Sequence, residues 1–169
     1  ADYKSPVNYG ITGLALRQVA ALIGAGFPTQ LYYIAYRNNS FDTHVYQVGV
    51  HERLLTYTAD PIEAFQRDIE RLGRADDVVL MTMSEFGRRV PENTSLGTDH
   101  GAAGPMFVVG KTVKGGQYGK HPSLTDLDDG NLKFTTDFRR VYATMIEKHL
   151  KVDSTKVLKG KFDTFDMIA

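Results

Sequence analysis

Six side chains that can bind metal ions or anions occur in three short groups along the sequence. They are Asp42 with His44, Glu85 with Arg88, and Asp99 with His100. Carboxylate oxygens and imidazole nitrogens are ligands that zinc and manganese accept, so these groups would make a metal site if their loops converge. The spacing alone is not specific, because an Asp-x-His sequence after a strand is more often a turn and cap than a ligand pair. A metal site is therefore a hypothesis, and an ordinary turn is its alternative.

An arginine in the second group indicates chemistry on an anionic substrate. A divalent cation polarises a phosphoryl or sulfuryl oxygen, and a nearby guanidinium neutralises the charge that develops on the other oxygens. Arg88 is the candidate for this anion contact, and it is the one candidate catalytic residue. An ion pair between Arg88 and Glu85, or between Arg88 and another surface carboxylate, is equally compatible with the sequence.

Three apolar segments are predicted to be the strands that position these groups. They are Leu31–Tyr36, Val78–Met83 and Met106–Val109. Asp42 and His44 follow the first segment, Glu85 and Arg88 follow the second, and Asp99 with His100 precedes the third. Ligands of parallel α/β sheets bind in the crevice outside the carboxyl ends of the strands. All three groups are therefore expected to be able to converge at one edge of a sheet.

Helices are predicted before, between and after these strands. Apolar residues recur at helical spacing from Leu16 to Ile23. A second helix is expected to begin at Asp60 as N-cap, with Pro61 in its first position, and to end at Gly73. A third is expected after Thr135 or Thr136, reaching Leu150. Alternating strands and helices predict a mostly parallel sheet covered by helices.

Composition limits the classes of partner. The 169 residues carry 20 Lys plus Arg and 20 Asp plus Glu, so no basic excess indicates a nucleic-acid partner. Cysteine is absent, which leaves His and carboxylates as the ligands of any metal. No apolar stretch reaches the roughly 20 residues that span a bilayer. The start at Ala1 has neither an initiator Met nor the apolar core of a signal peptide, and is expected to be a cut or processed end.

Several short motifs resemble, in order, those of a bacterial family called domain of unknown function 1501. The motifs are Phe41-Asp42-Thr43-His44 with Gln47, Met83-Ser84-Glu85-Phe86-Gly87-Arg88, Gly97-Thr98-Asp99-His100-Gly101, Val113-Lys114-Gly115-Gly116, and Tyr118-Gly119. The resemblance extends from about Gly10 to Leu150. It implies the alkaline phosphatase and sulfatase superfamily, whose fold is a three-layer α/β/α sandwich. Residues 1–169 are then expected to be the C-terminal portion of one such domain.

The same resemblance implies a role for each candidate ligand. Asp42 and His44 are similar to the superfamily's ligand pair for one metal, and His100 to the later histidine that completes this site. Glu85 occupies the place of a carboxylate for a second metal, but Phe86 stands where the second histidine would be. In a rival alignment, Asp99 and His100 themselves form the second-metal motif. Asp99 is expected either to bind a metal or, preferably, to accept the ring N–H of a ligating histidine.

These implications lead to a function and to two rivals. The expected activity is hydrolysis of small phosphate or sulfate esters that depends on zinc or manganese. One rival is a catalytically degenerate, exported binding protein that keeps the fold while Phe86 disables the second metal. A weaker rival is a phosphomutase-like transferase. The resemblance also implies an exported or periplasmic location, and it places the nucleophile in an upstream segment, so that residues 1–169 alone are expected to be inactive.

Overall fold

The computed structural model describes residues 4–10, 12–35 and 41–169. The chain divides into two compact units. The first comprises Ala1–Val78 with Glu92–Thr98, and the second comprises Val79–Pro91 with Asp99–Ala169. The prediction of a single domain over residues 1–169 stays a prediction.

Two helices form the core of the first unit. Helix α1 extends over Leu14–Gly24 and helix α2 over Gln47–Arg71. Ala20 and Ile23 are buried on α1, as the apolar spacing predicted. The helices approach closely at Gly24, where an added Cβ would lie 3.0 Å from the Leu72 side chain.

Helix α2 begins much earlier than the predicted start at Asp60, and it contains Pro61 in its interior. A proline has no N–H, so the carbonyl of Tyr57 loses its helical hydrogen-bond donor. The hydroxyl of Thr12 donates to this carbonyl at 2.9 Å. This contact from a distant part of the chain explains how the helix continues through Pro61. The predicted end of the helix is confirmed, since Gly73 adopts a left-handed conformation with φ of 69° just after it.

A buried carboxylate fixes the N-terminal segment to α2. Asp68 is fully buried and accepts a hydrogen bond from the hydroxyl of Tyr9 at 2.8 Å. Arg71, one turn later on the same helix, forms an ion pair with Asp68 at 2.8 Å. Both partners are needed because a buried charge without them would be strongly destabilising.

The second unit contains short strand pairs and a helical C-terminal region. The strands are β1 (Leu80–Met81), β2 (Gly87–Arg88), β3 (His100–Gly101), β4 (Val108–Val109), β5 (Leu127–Asp128) and β6 (Asn131–Leu132). Each pair is antiparallel and two-stranded: β1 with β4, β2 with β3, and β5 with β6. The helices are α3 (Phe138–Thr144), a π-helical turn (Met145–His149) that continues it, and α4 (Ser154–Leu158).

The predicted three-layer α/β/α sandwich with a mostly parallel sheet is therefore wrong. No extended parallel sheet is present in the described part of the chain. Residues 31–35 form no strand, and Tyr36 lies outside the described residues. Leu31 and Tyr33 are each 77% exposed rather than buried. Parallel strands need a helical crossover, whereas only the β2–β3 hairpin lies between β1 and β4, and the chain returns antiparallel.

Helix α3 and the π-helical turn that continues it form near the predicted place of the last helix. The N-cap of α3 is Asp137 rather than Thr135 or Thr136, and the Asp137 side chain accepts a hydrogen bond from the Arg139 N–H. Hydrogen bonding by the Arg139 guanidinium, together with this backbone bond, lowers the pKa of Asp137. None of the helices in the described ranges is both long and apolar enough to cross a membrane.

Candidate metal centre

Asp42 and His44 form a pair in the first unit. The Nε2 atom of His44 lies 2.9 Å from Oδ1 of Asp42. Two ligands of one tetrahedral zinc ion, each at about 2.0–2.2 Å, would be separated by about 3.3–3.6 Å. A shift of about half an ångström would thus let both atoms bind one ion. The side chains are 40% and 31% exposed, so an ion can reach the pair from solvent.

A hydrogen-bond network holds the backbone that carries this pair. The side-chain amide nitrogen of Gln47, Nε2, donates to the carbonyl oxygen of Thr43 at 3.2 Å and to the Thr43 hydroxyl at 2.9 Å. Gln47 in turn accepts a bond from the hydroxyl of Thr98 at 2.9 Å. The side-chain amide of Asn93 donates to the carbonyl of His44 at 3.1 Å. These bonds hold the backbone at Thr43 and His44, and they thereby position the loop that carries the side chains of Asp42 and His44.

Close backbone packing explains the glycine at position 97. A Cβ at Gly97 would overlap the carbonyl group of His44 and lie 3.0 Å from the backbone nitrogen of Val45. Asn93 shapes this turn, because its Oδ1 accepts the N–H groups of Ser95 at 2.9 Å and Gly97 at 3.0 Å. The backbone of His44 is therefore in direct contact with a turn that tolerates no side chain at residue 97.

His100 belongs to the second unit, on strand β3. It pairs with Arg88 across the β2–β3 hairpin. Its imidazole stacks on the ring of Phe86, with centroids 3.7 Å apart and planes inclined by 9°. The guanidinium carbon of Arg88 lies 5.1 Å from the centroid of the same phenyl ring, which is within the range of a cation–π contact.

Glycines permit the tight pairing of this hairpin. A Cβ at Gly87 would overlap the backbone carbonyl of Ala103, and one at Gly101 would clash with the backbone of Arg88. Gly87 is buried. Close main-chain approach, rather than an unusual dihedral angle, is therefore the reason for glycine at both positions.

The remaining predicted site residues lie beside this hairpin. Glu85 is exposed, and so is Asp99, whose backbone carbonyl accepts the N–H of Arg89 at 3.0 Å. Of the residues that the structure describes, Asp42, His44 and His100 are candidate metal ligands, the first two in the first unit and the third in the second. Glu85 and Asp99 are not in that set, and the roles predicted for them and for Arg88 stay predictions.

Two supporting residues were not recognised from the sequence as such. Asn93 lies in the polar Glu92-Asn93-Thr94-Ser95 segment, where an asparagine is typical of a turn. The sequence therefore predicts the turn, but it does not predict the hydrogen bond from Asn93 to the His44 carbonyl. Phe86 departs from the metal motif of the resembling family. Its spacing of two from Arg88 would have placed both on one side of a strand, but the partner His100 depends on the antiparallel register.

Comparison with known proteins identifies the family. A family model described as a protein of unknown function, DUF1501, matches residues 28–163. No curated protein and no solved structure matches the chain. The matched segment is most of the chain and contains Asp42, His44 and His100 together with Phe86. The chain belongs to DUF1501, a family of proteins of unknown function.

Proposed function

We propose that this chain supplies the metal ligands of a metal-dependent hydrolase of phosphate or sulfate esters. Asp42, His44 and His100 would bind one divalent cation, zinc or manganese. The observation that carries the proposal is the Asp42–His44 pair, whose ligand atoms are 2.9 Å apart on a backbone held by Gln47 and Asn93.

The chemistry of the donor set supports a catalytic rather than a purely structural ion. Catalytic zinc sites typically have three protein ligands, of the imidazole and carboxylate types, and keep one position for water or substrate. One carboxylate and two imidazoles fit that pattern. When bound, the ion would polarise an ester oxygen and lower the pKa of a bound water.

Arg88 supplies the second part of the proposal. It pairs with His100 in the β2–β3 hairpin, so both side chains project from the same side of that hairpin. A guanidinium there can donate to the oxygens of a phosphoryl or sulfuryl group that a neighbouring metal ligand helps to hold. Its role would be to bind and orient the anionic group and to neutralise its developing charge. Assignment to the alkaline phosphatase and sulfatase superfamily is part of this proposal. It rests on the motifs around Asp42, Glu85 and His100 and not on the fold, since the described residues form no extended parallel sheet.

A second function, metal-dependent binding without hydrolysis, is favoured by one observation. Phe86 stands where the motif resemblance expects a second histidine, and its ring is stacked on His100. A phenyl ring cannot ligate a metal, so a second ion would lack this ligand. One ion would then hold an anionic ligand without the pair of ions that two-metal hydrolases use.

Calorimetric titration with zinc and with manganese tests the proposal. The unmodified chain should bind one ion, and His100→Ala and His44→Ala should each weaken binding by more than about 100-fold, beyond what loss of an indirect partner causes. His121→Ala is the matched control, because His121 is exposed and its Nδ1 contacts the carbonyl of its own neighbour, Pro122. Equal effects of His100→Ala and His121→Ala would refute the ligand assignment.

Turnover separates the two functions. Because the motif resemblance places the nucleophile upstream of residue 1, the metal-loaded intact protein, rather than residues 1–169 alone, is assayed with an aryl phosphate and an aryl sulfate. Arg88→Lys is assayed alongside, because it keeps the charge but not the planar fork. Hydrolysis that falls in Arg88→Lys at unchanged metal affinity supports the hydrolase. Metal binding without hydrolysis of either ester supports the binding function.

A further inference from the structure

The stack of Phe86 on His100 follows from the register of the β2–β3 hairpin. Phe86 immediately precedes β2 and is two residues from Arg88, and the two side chains lie on the same side of the chain, where the Arg88 guanidinium contacts the Phe86 ring. Arg88 is the direct cross-strand partner of His100, which makes Phe86 its diagonal neighbour. The rings are nearly parallel, at 9°, with centroids 3.7 Å apart. The arrangement is thus built by backbone pairing and not by a chance contact of two flexible side chains.

A stacked neighbour constrains an imidazole in a particular way. The phenyl ring covers one face of the His100 ring, while both ring nitrogens lie in the ring plane and point outward from its edge. Metal ligands approach an imidazole nitrogen in that plane. The stack therefore fixes the plane of the ring without using Nδ1 or Nε2.

This constraint is most useful at an exposed residue. The His100 side chain is exposed, so burial does not restrict its rotamers. Ordering such a side chain when it binds an ion costs conformational entropy, and a ring that is already ordered avoids part of this cost. Phe86 is itself half-buried, with the Arg88 guanidinium carbon 5.1 Å from its ring centroid. The hairpin thus restricts the side chain of Phe86, and the ring of Phe86 in turn restricts the imidazole of His100.

We infer that Phe86 is a positioning residue that holds the imidazole plane of His100 for metal binding through the ring edge. The inference rests on the proposed role of His100 as a ligand. The inference assigns Phe86 a function in the site. The motif resemblance alone shows only that a phenylalanine replaces an expected histidine at this position. Histidine ligands are commonly oriented by a hydrogen bond to a carboxylate or a carbonyl. At His100 the face of Phe86 adds a constraint on the plane of the ring.

Two variants separate positioning from mere space filling. Phe86→Tyr keeps the aromatic face, and Phe86→Leu removes it while keeping an apolar side chain. Phe134→Leu is the matched control, because Phe134 is 68% exposed and belongs to the same unit. Zinc affinity should fall about 10-fold in Phe86→Leu, at the lower end of indirect-partner losses, and should stay within about 3-fold of the unmodified protein in Phe86→Tyr and Phe134→Leu.

A spectroscopic measurement on the unmodified, metal-free chain checks the stack without any variant. Protons of the His100 ring should resonate upfield of those of His121, because they lie over an aromatic face, and Phe86→Leu should abolish the difference. Absence of the upfield shift overturns the inference even if Phe86→Leu does not fold. Zinc binding that is unchanged in Phe86→Leu overturns the positioning role alone, whereas an unmodified chain that binds no zinc overturns the proposed function, and this inference with it.

Discussion

Gly97→Ala should damage the Asp42–His44 pair through the backbone. The new Cβ would overlap the carbonyl group of His44 and lie 3.0 Å from the nitrogen of Val45, and backbone atoms cannot rotate away as the end of a long side chain can. The turn must therefore separate from His44, and the bond from Asn93 to the His44 carbonyl is lost.

The expected magnitude follows from these two effects. Overpacking typically costs about 1–3 kcal/mol and a lost hydrogen bond about 1 kcal/mol, so the free energy of unfolding should fall by about 2–4 kcal/mol. With a urea dependence of about 2 kcal/mol per molar, the unfolding midpoint moves down by about 1–2 M. Zinc affinity should fall as well, because His44 is displaced from Asp42.

Gly115→Ala is the control for this experiment. A Cβ at Gly115 meets no atom within 4 Å, and its backbone does not have a positive φ. Urea titration of both variants, followed by circular dichroism, measures the difference. Gly97→Ala and Gly115→Ala with the same midpoint and the same zinc affinity would show that the turn does not constrain His44.

Two further predictions concern the helices. Thr12→Val removes the hydroxyl that donates to the carbonyl of Tyr57, which Pro61 leaves without a helical donor. Thermal unfolding should show that the free energy of unfolding falls by about 1 kcal/mol. An unchanged transition would mean that the carbonyl is satisfied in another way. Asp137→Ala removes the N-cap of α3 and should cost about 1 kcal/mol at neutral pH. Because the pKa of Asp137 is lowered by its bond to Arg139, this contribution is present above the carboxyl's unfolded pKa and is lost as pH falls through the folded value, so the difference from the unmodified chain should vanish in acid. A difference that persists at the lowest pH would contradict this account.

The sequence predicted helices better than sheets, for a physical reason. The apolar spacing of α1 is a local signal, and Leu14–Gly24 is helical as expected. Gln30–Ala35 is equally apolar, but a strand exists only when a partner pairs with it, and no local pattern supplies that partner. Pro61 was interpreted as a helix start because the compensating hydroxyl of Thr12 lies far away in sequence.

In the candidate site too, the sequence predicted local features but not long-range contacts. The closeness of Asp42 and His44 follows from their separation of two residues in one loop, so sequence reasoning could identify the pair. The stack of Phe86 on His100 depends on the antiparallel register of β2 and β3, whereas a parallel sheet had been predicted. The motifs give the residue types of the site, but they do not give the register in which distant strands pair.

X-ray absorption spectroscopy of the zinc-loaded chain is the most direct test of the metal centre. The account predicts one zinc per chain, with two imidazole nitrogens and a carboxylate oxygen at about 2.0–2.2 Å, and one imidazole fewer in His100→Ala. A zinc shell of water oxygens alone, or a shell that is unchanged in His100→Ala, would contradict it.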